Sequence, residues 1–113
     1  MNNAAVYEEG MDPQPIWAMY ERTWDNTQKT NAKGVFLGCK YASRQMLQQE
    51  PGQNGDRGHI INVASILGVV GQSHAAAECA AKGAVVSLTK AAALDCAPHR
   101  IHVNAICPGC TGT

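Results

Sequence analysis

The stretch HIINVASILGVVGQSHAAAECAAKGAVVSLTKAAALDCAPHRIHVNAI, residues 59–106, sets the fold of this 113-residue chain. It opens with a short run of apolar, β-branched residues over 59–64, which predicts a buried strand. After a loop with two glycines, an alanine-rich segment over 75–97 predicts a helix that Pro98 ends. A second β-branched run over 100–106 predicts another buried strand. The order strand, helix, strand indicates parallel strands joined by a helical crossover.

A further helix is predicted ahead of this unit, over residues 23–49, with Thr23 as its N-cap. Apolar residues recur in it at spacings of three or four and predict one buried stripe: Val35, Cys39, Ala42 and Met46. Gly34 and Gly38 interrupt the pattern, and we expect close packing against a neighbour at both. Two strands side by side would place both long helices on one sheet face and leave the other face bare.

Composition excludes several classes of function. Nine acidic and nine basic residues give no net charge and no basic cluster, so nucleic acid and anionic membranes are not expected partners. No apolar run approaches the roughly 20 residues that span a bilayer, and the polar N-terminus is not a signal peptide. The five cysteines are expected to be mostly reduced thiols, which indicates a cytoplasmic protein.

Four segments together resemble the short-chain dehydrogenase/reductase family: TNAKGVFLGCKYA, GHIINVASILGVVG, ECAAKGAVVSLTKAAALDCA and RIHVNAICPG. The opening NNAA is similar to that family's Asn-Asn-Ala-Gly, with Ala5 in place of the glycine. The resemblance implies an α/β fold, a partial Rossmann-like doubly wound parallel sheet with helices mainly on one face. It implies that residues 1–113 are the central part of a single NAD(P)-binding domain. The Gly-rich unit before it and the last strand and helix after it are not in this chain.

The resemblance also implies a site. Ser65 matches the family's catalytic serine, which hydrogen-bonds the substrate oxygen. Lys82 matches the lysine of the Tyr-x-x-x-Lys motif, which binds the nicotinamide ribose and lowers the pKa of the tyrosine. Asn31 matches the asparagine that holds a water in the proton relay. Contacts with the NAD or NADP cofactor are implied for Asn2, Lys82, Pro108, Gly109 and Thr113.

Position 78, thirteen residues after Ser65, is the tyrosine position in that family, and Glu78 occupies it here. Reduction of a carbonyl by hydride leaves an alkoxide that must take a proton. A carboxyl with a pKa near about 4.3, next to the Lys82 ammonium, is expected to stay ionised and to be unable to donate that proton. We predict instead that Glu78 forms an ordinary i,i+4 ion pair with Lys82. His74, one helical turn earlier, is a weaker candidate for the acid.

Cys107 and Cys110 flank Pro-Gly at a spacing that is also found in redox-active cysteine pairs. The surrounding order of elements is not that of a thioredoxin, and a zinc site would need two more ligands, of which only His102 is evident. We therefore interpret them as two thiols beside a turn. His59, His99 and His102 are expected at the surface or at strand ends.

The sequence thus predicts a segment of an NAD(P)-dependent oxidoreductase that acts on a small alcohol or carbonyl substrate and is not catalytically competent in this form. The alternative is a silent module that binds a relative or a second copy through helices 23–49 and 75–97, which commonly form the dimer interface of the family. A third interpretation is that the boundaries are those of a truncated chain.

Overall fold

Two long helical stretches and two parallel strands form the body of the molecule. The computed structural model describes residues 1–109, and its helices and strands are α1 (Glu21–Thr27), a π-helical turn (Gln28–Lys33), α2 (Gly34–Leu47), β1 (Gly58–Val63), α3 (Ala76–Cys96) and β2 (Ile101–Ile106). These elements confirm the predicted order. No helix in the described part of the chain is long and apolar enough to cross a membrane.

The first helical stretch differs from its prediction at both ends and in its middle. It is continuous through α1, the π-helical turn and α2, and it begins two residues before Thr23. Tyr20 occupies the N-cap position and makes no side-chain capping bond, so the prediction of Thr23 as the cap was wrong. The π-helical turn has no counterpart in the sequence pattern, because apolar spacing does not register one extra residue in a turn.

The strands β1 and β2 pair in parallel, in register from Gly58 with Ile101 to Val63 with Ile106. Ile60 and Val103 are buried in one core cluster with Val35 of α2 and Val85 of α3. The core therefore lies between one sheet face and the two helices, as predicted.

The opposite sheet face carries the alternate residues of both strands. The exposed residues on that face are His59, Ile61, His102, Asn104 and Ile106. Within residues 1–109 this face is uncovered, as the topology predicted for consecutive strands with both helices on one side.

The N-terminal residues continue the sheet on the free side of β1. Asn2 donates its backbone N–H to Ile61 O at 2.9 Å and accepts from Val63 N at 3.1 Å, as a parallel bridge. Its side-chain Nδ2 donates to Asn62 Oδ1 at 2.8 Å. Asn62 is fully buried, and its own Nδ2 donates to Thr89 Oγ1 of α3 at 2.9 Å. These amides tie the N-terminus, β1 and α3 together.

Gly38 of α2 makes room for the Asn2 side chain. A Cβ at Gly38 would overlap Asn2 Oδ1 more closely than any real contact allows. The expected close packing is therefore confirmed at Gly38. The same expectation was wrong at Gly34, because the nearest atom to a Cβ there is Lys29 O at 3.8 Å, an ordinary contact.

Candidate active site

The carboxyl ends of β1 and β2 are joined edge to edge by backbone hydrogen bonds. Ala64 N donates to Ile106 O at 2.8 Å, and Ile66 N donates to Pro108 O at 2.9 Å. The loops that follow the two strands therefore begin side by side. In open α/β sheets, ligands bind at this edge.

Ser65 begins the loop after β1 and caps a short 3-10 turn over Ile66–Gly68. Its Oγ accepts a hydrogen bond from Leu67 N at 3.1 Å. A hydroxyl that accepts in this way keeps its own O–H to donate. Among residues 1–109 no acceptor takes that proton, so the half-buried Ser65 can offer it to an oxygen of a bound molecule.

The Lys82 side chain of α3 is held at Val63, the last residue of β1. Val63 precedes Ser65 by two positions. Lys82 Nζ donates to Val63 O at 3.1 Å, and the lysine is buried. The loop is pressed against α3 at the same place, because a Cβ on Gly68 would come within 2.6 Å of Lys82 O. The structure thus brings Ser65 and Lys82 to one edge of the sheet.

Glu78 lies one helical turn before Lys82 and is turned toward the first helical stretch. Its Oε2 accepts from Asn31 Nδ2 at 2.8 Å. Asn31 is fully buried in the π-helical turn, and its amide also accepts from Val6 N at 2.8 Å and donates to Val6 O at 2.7 Å. The structure therefore joins Asn31 to position 78, and no hydrogen bond within the described chain joins Ser65 to Glu78.

The predicted ion pair between Glu78 and Lys82 is not formed. Within residues 1–109, the ion pairs shorter than 4.0 Å all involve Asp56. The two residues have the right spacing, but both are buried, and each has a neutral polar partner closer at hand: Asn31 for Glu78 and Val63 O for Lys82.

Burial raises the pKa of the Glu78 carboxyl above its ordinary value. The Lys82 charge and the Asn31 hydrogen bond lower that pKa, and the nearby Glu9 raises it further, so the net change is upward. The direction is opposite to the one that the Lys82 ammonium alone would give, because desolvation penalises the ionised form more than the ammonium favours it.

Glu9 is the functional neighbour that the sequence did not indicate. It is buried, and it accepts from Glu78 N at 2.8 Å through Oε1 and from Ala77 N at 3.3 Å through Oε2. A carboxylate on these first-turn amides acts as an N-cap for α3. No local pattern could reveal it, because Glu9 lies 69 residues from Glu78 along the chain.

The structure leaves some of the other predicted site residues exposed and engages others in contacts within the chain. Pro108 and Gly109 are exposed just beyond β2, at the edge that holds Ser65, whereas the Asn2 side chain is engaged by Asn62. Their contacts with a cofactor stay predictions. Thr113 and Cys110 lie outside the described residues. His74 is exposed and has a left-handed backbone with φ of 61°.

Comparison with known proteins gives the family. Residues 1–113 match the family model described as short chain dehydrogenase. The chain is 38% identical over 109 residues to the 3-oxoacyl-(acyl-carrier-protein) reductase FabG of Staphylococcus aureus, covering 96% of this chain and 40% of that protein. It is 44% identical over 109 residues to a protein of Xanthobacter autotrophicus named inactive 2-(S)-hydroxypropyl-CoM dehydrogenase 2, covering 96% of this chain and 43% of that one. The chain belongs to the short-chain dehydrogenase/reductase family.

Solved structures agree in fold. A putative short-chain alcohol dehydrogenase of Sinorhizobium meliloti matches 99% of this chain and 40% of its own, with a TM-score of 0.84 and 33% identity. An ElxO variant with NADPH bound matches with a TM-score of 0.82 and 29% identity, over 96% of this chain and 40% of its own. An NAD+-bound xylitol dehydrogenase matches with a TM-score of 0.78 and 39% identity, over 88% of this chain and 36% of its own. The chain therefore spans about 40% of the length of the relatives it matches.

Proposed function

We propose that residues 1–113 are the central part of a single NAD(P)-binding domain. We propose that the reaction of this domain is hydride transfer between a nicotinamide and a small alcohol or carbonyl. Ser65 orients the substrate oxygen, Lys82 binds the nicotinamide ribose, and Asn31 organises the residue at position 78. Relatives with NADPH and with NAD+ bound support a nicotinamide cofactor without choosing between the two.

The observation that carries this proposal is the attachment of Ser65 and Lys82 to the same strand end. Lys82 Nζ is hydrogen-bonded to Val63 O, and Ser65 follows Val63 by two residues. The ammonium is held at this strand end by its bond to Val63 O, and the hydroxyl is held there by the 3-10 turn that it caps. Hydrogen-bond donors fixed before the substrate arrives are what stabilise developing negative charge on a reacting oxygen.

We infer that proton transfer is impaired by Glu78. A glutamate side chain is shorter than a tyrosine, and its Oε2 is held by Asn31. Burial raises the pKa of this carboxyl, and its hydrogen bond to Asn31 directs it toward the π-helical turn. The relative from Xanthobacter named as inactive supports the idea that activity has been lost elsewhere in this family.

The test is cofactor oxidation with small ketones and aldehydes, measured for the unchanged protein and two lysine variants. We expect the rate to be no higher for the unchanged protein than for Lys82→Ala, with cofactor binding measured separately for each protein. Lys90→Ala is the matched control, because Lys90 lies exposed on the same helix. Turnover at neutral pH that Lys82→Ala abolishes and Lys90→Ala preserves would contradict the inferred impairment.

A second candidate function is a silent interaction module, and a groove between α2 and α3 favours it. A cavity of about 270 Å³ opens there, and Phe36 and Leu88 are among its lining residues. Phe36 and Tyr41 are large apolar residues left exposed on α2. We infer that such a surface would bind the same helices of a second copy or of a relative.

Co-purification with a full-length relative distinguishes the interaction module from the impaired oxidoreductase. Phe36→Asp should abolish the association, since the residue lies in the groove, whereas Trp17→Asp should preserve it, since Trp17 is exposed elsewhere. Association that survives Phe36→Asp, or none with the unchanged chain, would reject the module.

A further inference from the structure

Three side chains meet at the edge of the sheet opposite to Ser65. His59 of β1 and His102 of β2 are partners in the parallel register, so their side chains leave the same face side by side. Asp56 stands in the loop two residues before β1. This cluster lies at the amino ends of the strands, and the proposed hydride transfer makes no use of it.

The donor atoms of the cluster are close enough to share one ion. His102 Nε2 is 3.1 Å from Asp56 Oδ1, and His59 Nε2 is 3.9 Å from Asp56 Oδ2. One ligand atom from each residue lies within 4.8 Å of the other two. Ligands at about 2.0–2.2 Å around a tetrahedral zinc ion stand roughly 3.3 Å from each other, so the ligand atoms must move closer together to bind it.

The chemistry of the three groups suits a borderline divalent metal. Asp56 offers a carboxylate oxygen, and His59 and His102 each offer an imidazole nitrogen. Two imidazoles and one carboxylate form a ligand set of the kind that zinc sites use, with a further position left for water. We propose that Asp56, His59 and His102 bind Zn²⁺.

To bind zinc, the side chains of the cluster must rearrange, and their surroundings allow it. The imidazole rings are stacked, with centroids 4.7 Å apart and planes 16° from parallel, so one ring must turn for both nitrogens to aim at one ion. The histidine side chains are 60% and 46% exposed, which leaves them room to turn. Arg100 donates to Asp56 through Nε at 3.1 Å and Nη2 at 3.0 Å, both to Oδ1, so Oδ2 remains for the metal.

Zinc so bound would fasten the loop before β1 to both strands of the sheet. An ion that binds the folded chain and not the unfolded chain raises stability in proportion to the logarithm of its concentration. Protons and metal ions compete for the same imidazole nitrogens, so the affinity should fall as the pH is lowered.

Calorimetric titration of the metal-free protein with Zn²⁺ at pH 7.5 tests the site. We expect one ion per chain, and an affinity at least about ten-fold weaker in His59→Gln and in His102→Asn. His99→Asn is the matched control, because His99 is exposed and outside the cluster. No binding by the unchanged protein would overturn the proposal, as would equal affinity in all four proteins.

A second measurement does not depend on how the variants fold. Substoichiometric Cu²⁺, which prefers similar ligands, should broaden the imidazole proton signals of His59 and His102 in the unchanged protein. The signals of His74 and His99 should stay sharp. Equal broadening of all four histidines, or of neither cluster member, would overturn the proposal.

Discussion

At the scale of single residues, Glu78 shows how burial decides the chemistry of a side chain. The sequence places it four residues before Lys82, a spacing that predicts an ion pair. In the folded chain both residues are buried and bind other groups, so desolvation outweighs the remaining attraction and raises the pKa of Glu78. A spacing rule derived from exposed helices did not hold on a buried helix face.

The raised pKa of Glu78 predicts a pH dependence of stability. A carboxyl that binds its proton more tightly in the folded chain contributes stability below its unfolded pKa of about 4.3, and this stability is lost as the pH rises through the folded value. The unchanged chain should therefore lose free energy of unfolding relative to Glu78→Gln between pH 4 and neutral pH. Urea unfolding at several pH values measures this.

Glu50→Gln is the control for that titration, since it makes the same change at an exposed glutamate. A stability gap between Glu78→Gln and the unchanged chain that does not vary with pH would show that Glu78 has an ordinary pKa.

The roles of Ser65, Lys82 and Asn31 were predicted from spacing and resemblance, and the structure places Ser65 and Lys82 at one strand end and Asn31 against position 78. Glu9 could not be predicted, because its partners are backbone amides 68 and 69 residues away. Contacts between distant segments leave no periodic mark on the sequence.

At the scale of elements, the helices and strands follow from apolar spacing, and the breaks within them do not. Both strands lie within one residue of their predicted bounds, since β-branched runs flanked by glycine or proline are short and distinct. The π-helical turn was missed, although it carries Asn31. Such turns occur frequently at functional sites, where an extra residue re-aims a side chain.

The two glycines of α2 give opposite predictions for the same substitution. Gly38→Ala should lower the free energy of unfolding by about 1–3 kcal/mol, because the methyl group displaces the Asn2 side chain and breaks its bond to Asn62. Gly34→Ala should raise it by up to about 1 kcal/mol, because alanine favours the helix and the new methyl group meets only an ordinary contact.

Chemical unfolding of both variants checks the pair. Equal effects of the two substitutions would contradict the packing of Asn2 against Gly38, since helix propensity alone treats the two positions alike.

At the scale of the whole molecule, one sheet face is packed and the other is open. The topology predicted this from the order of elements alone, because consecutive parallel strands with connections of one hand place the helices before and after β1 on the same side. What covers the open face could not be predicted, since no residue of the described chain folds over it.

The open face predicts a contrast between neighbouring isoleucines of β1. Ile60→Thr should lower the free energy of unfolding by about 2–4 kcal/mol, since Ile60 is in the core. Ile61→Thr in the 113-residue chain should change it by less than about 0.5 kcal/mol, since Ile61 is 39% exposed. Urea unfolding at two protein concentrations measures both, and a large concentration-dependent effect of Ile61→Thr would show that a second copy covers the face.

The substitution Glu78→Tyr tests most directly the claim that this chain carries a family site whose proton donor has been replaced. Carbonyl reduction with NADH or NADPH should be measured at neutral pH for the unchanged protein, for Glu78→Tyr and for Glu78→Gln, in a form that binds the cofactor. General acid catalysis contributes about 10²- to 10⁴-fold. We expect a gain of that order for Glu78→Tyr and none for Glu78→Gln. No gain in a folded, cofactor-binding Glu78→Tyr protein would contradict the assignment of position 78 to the proton donor.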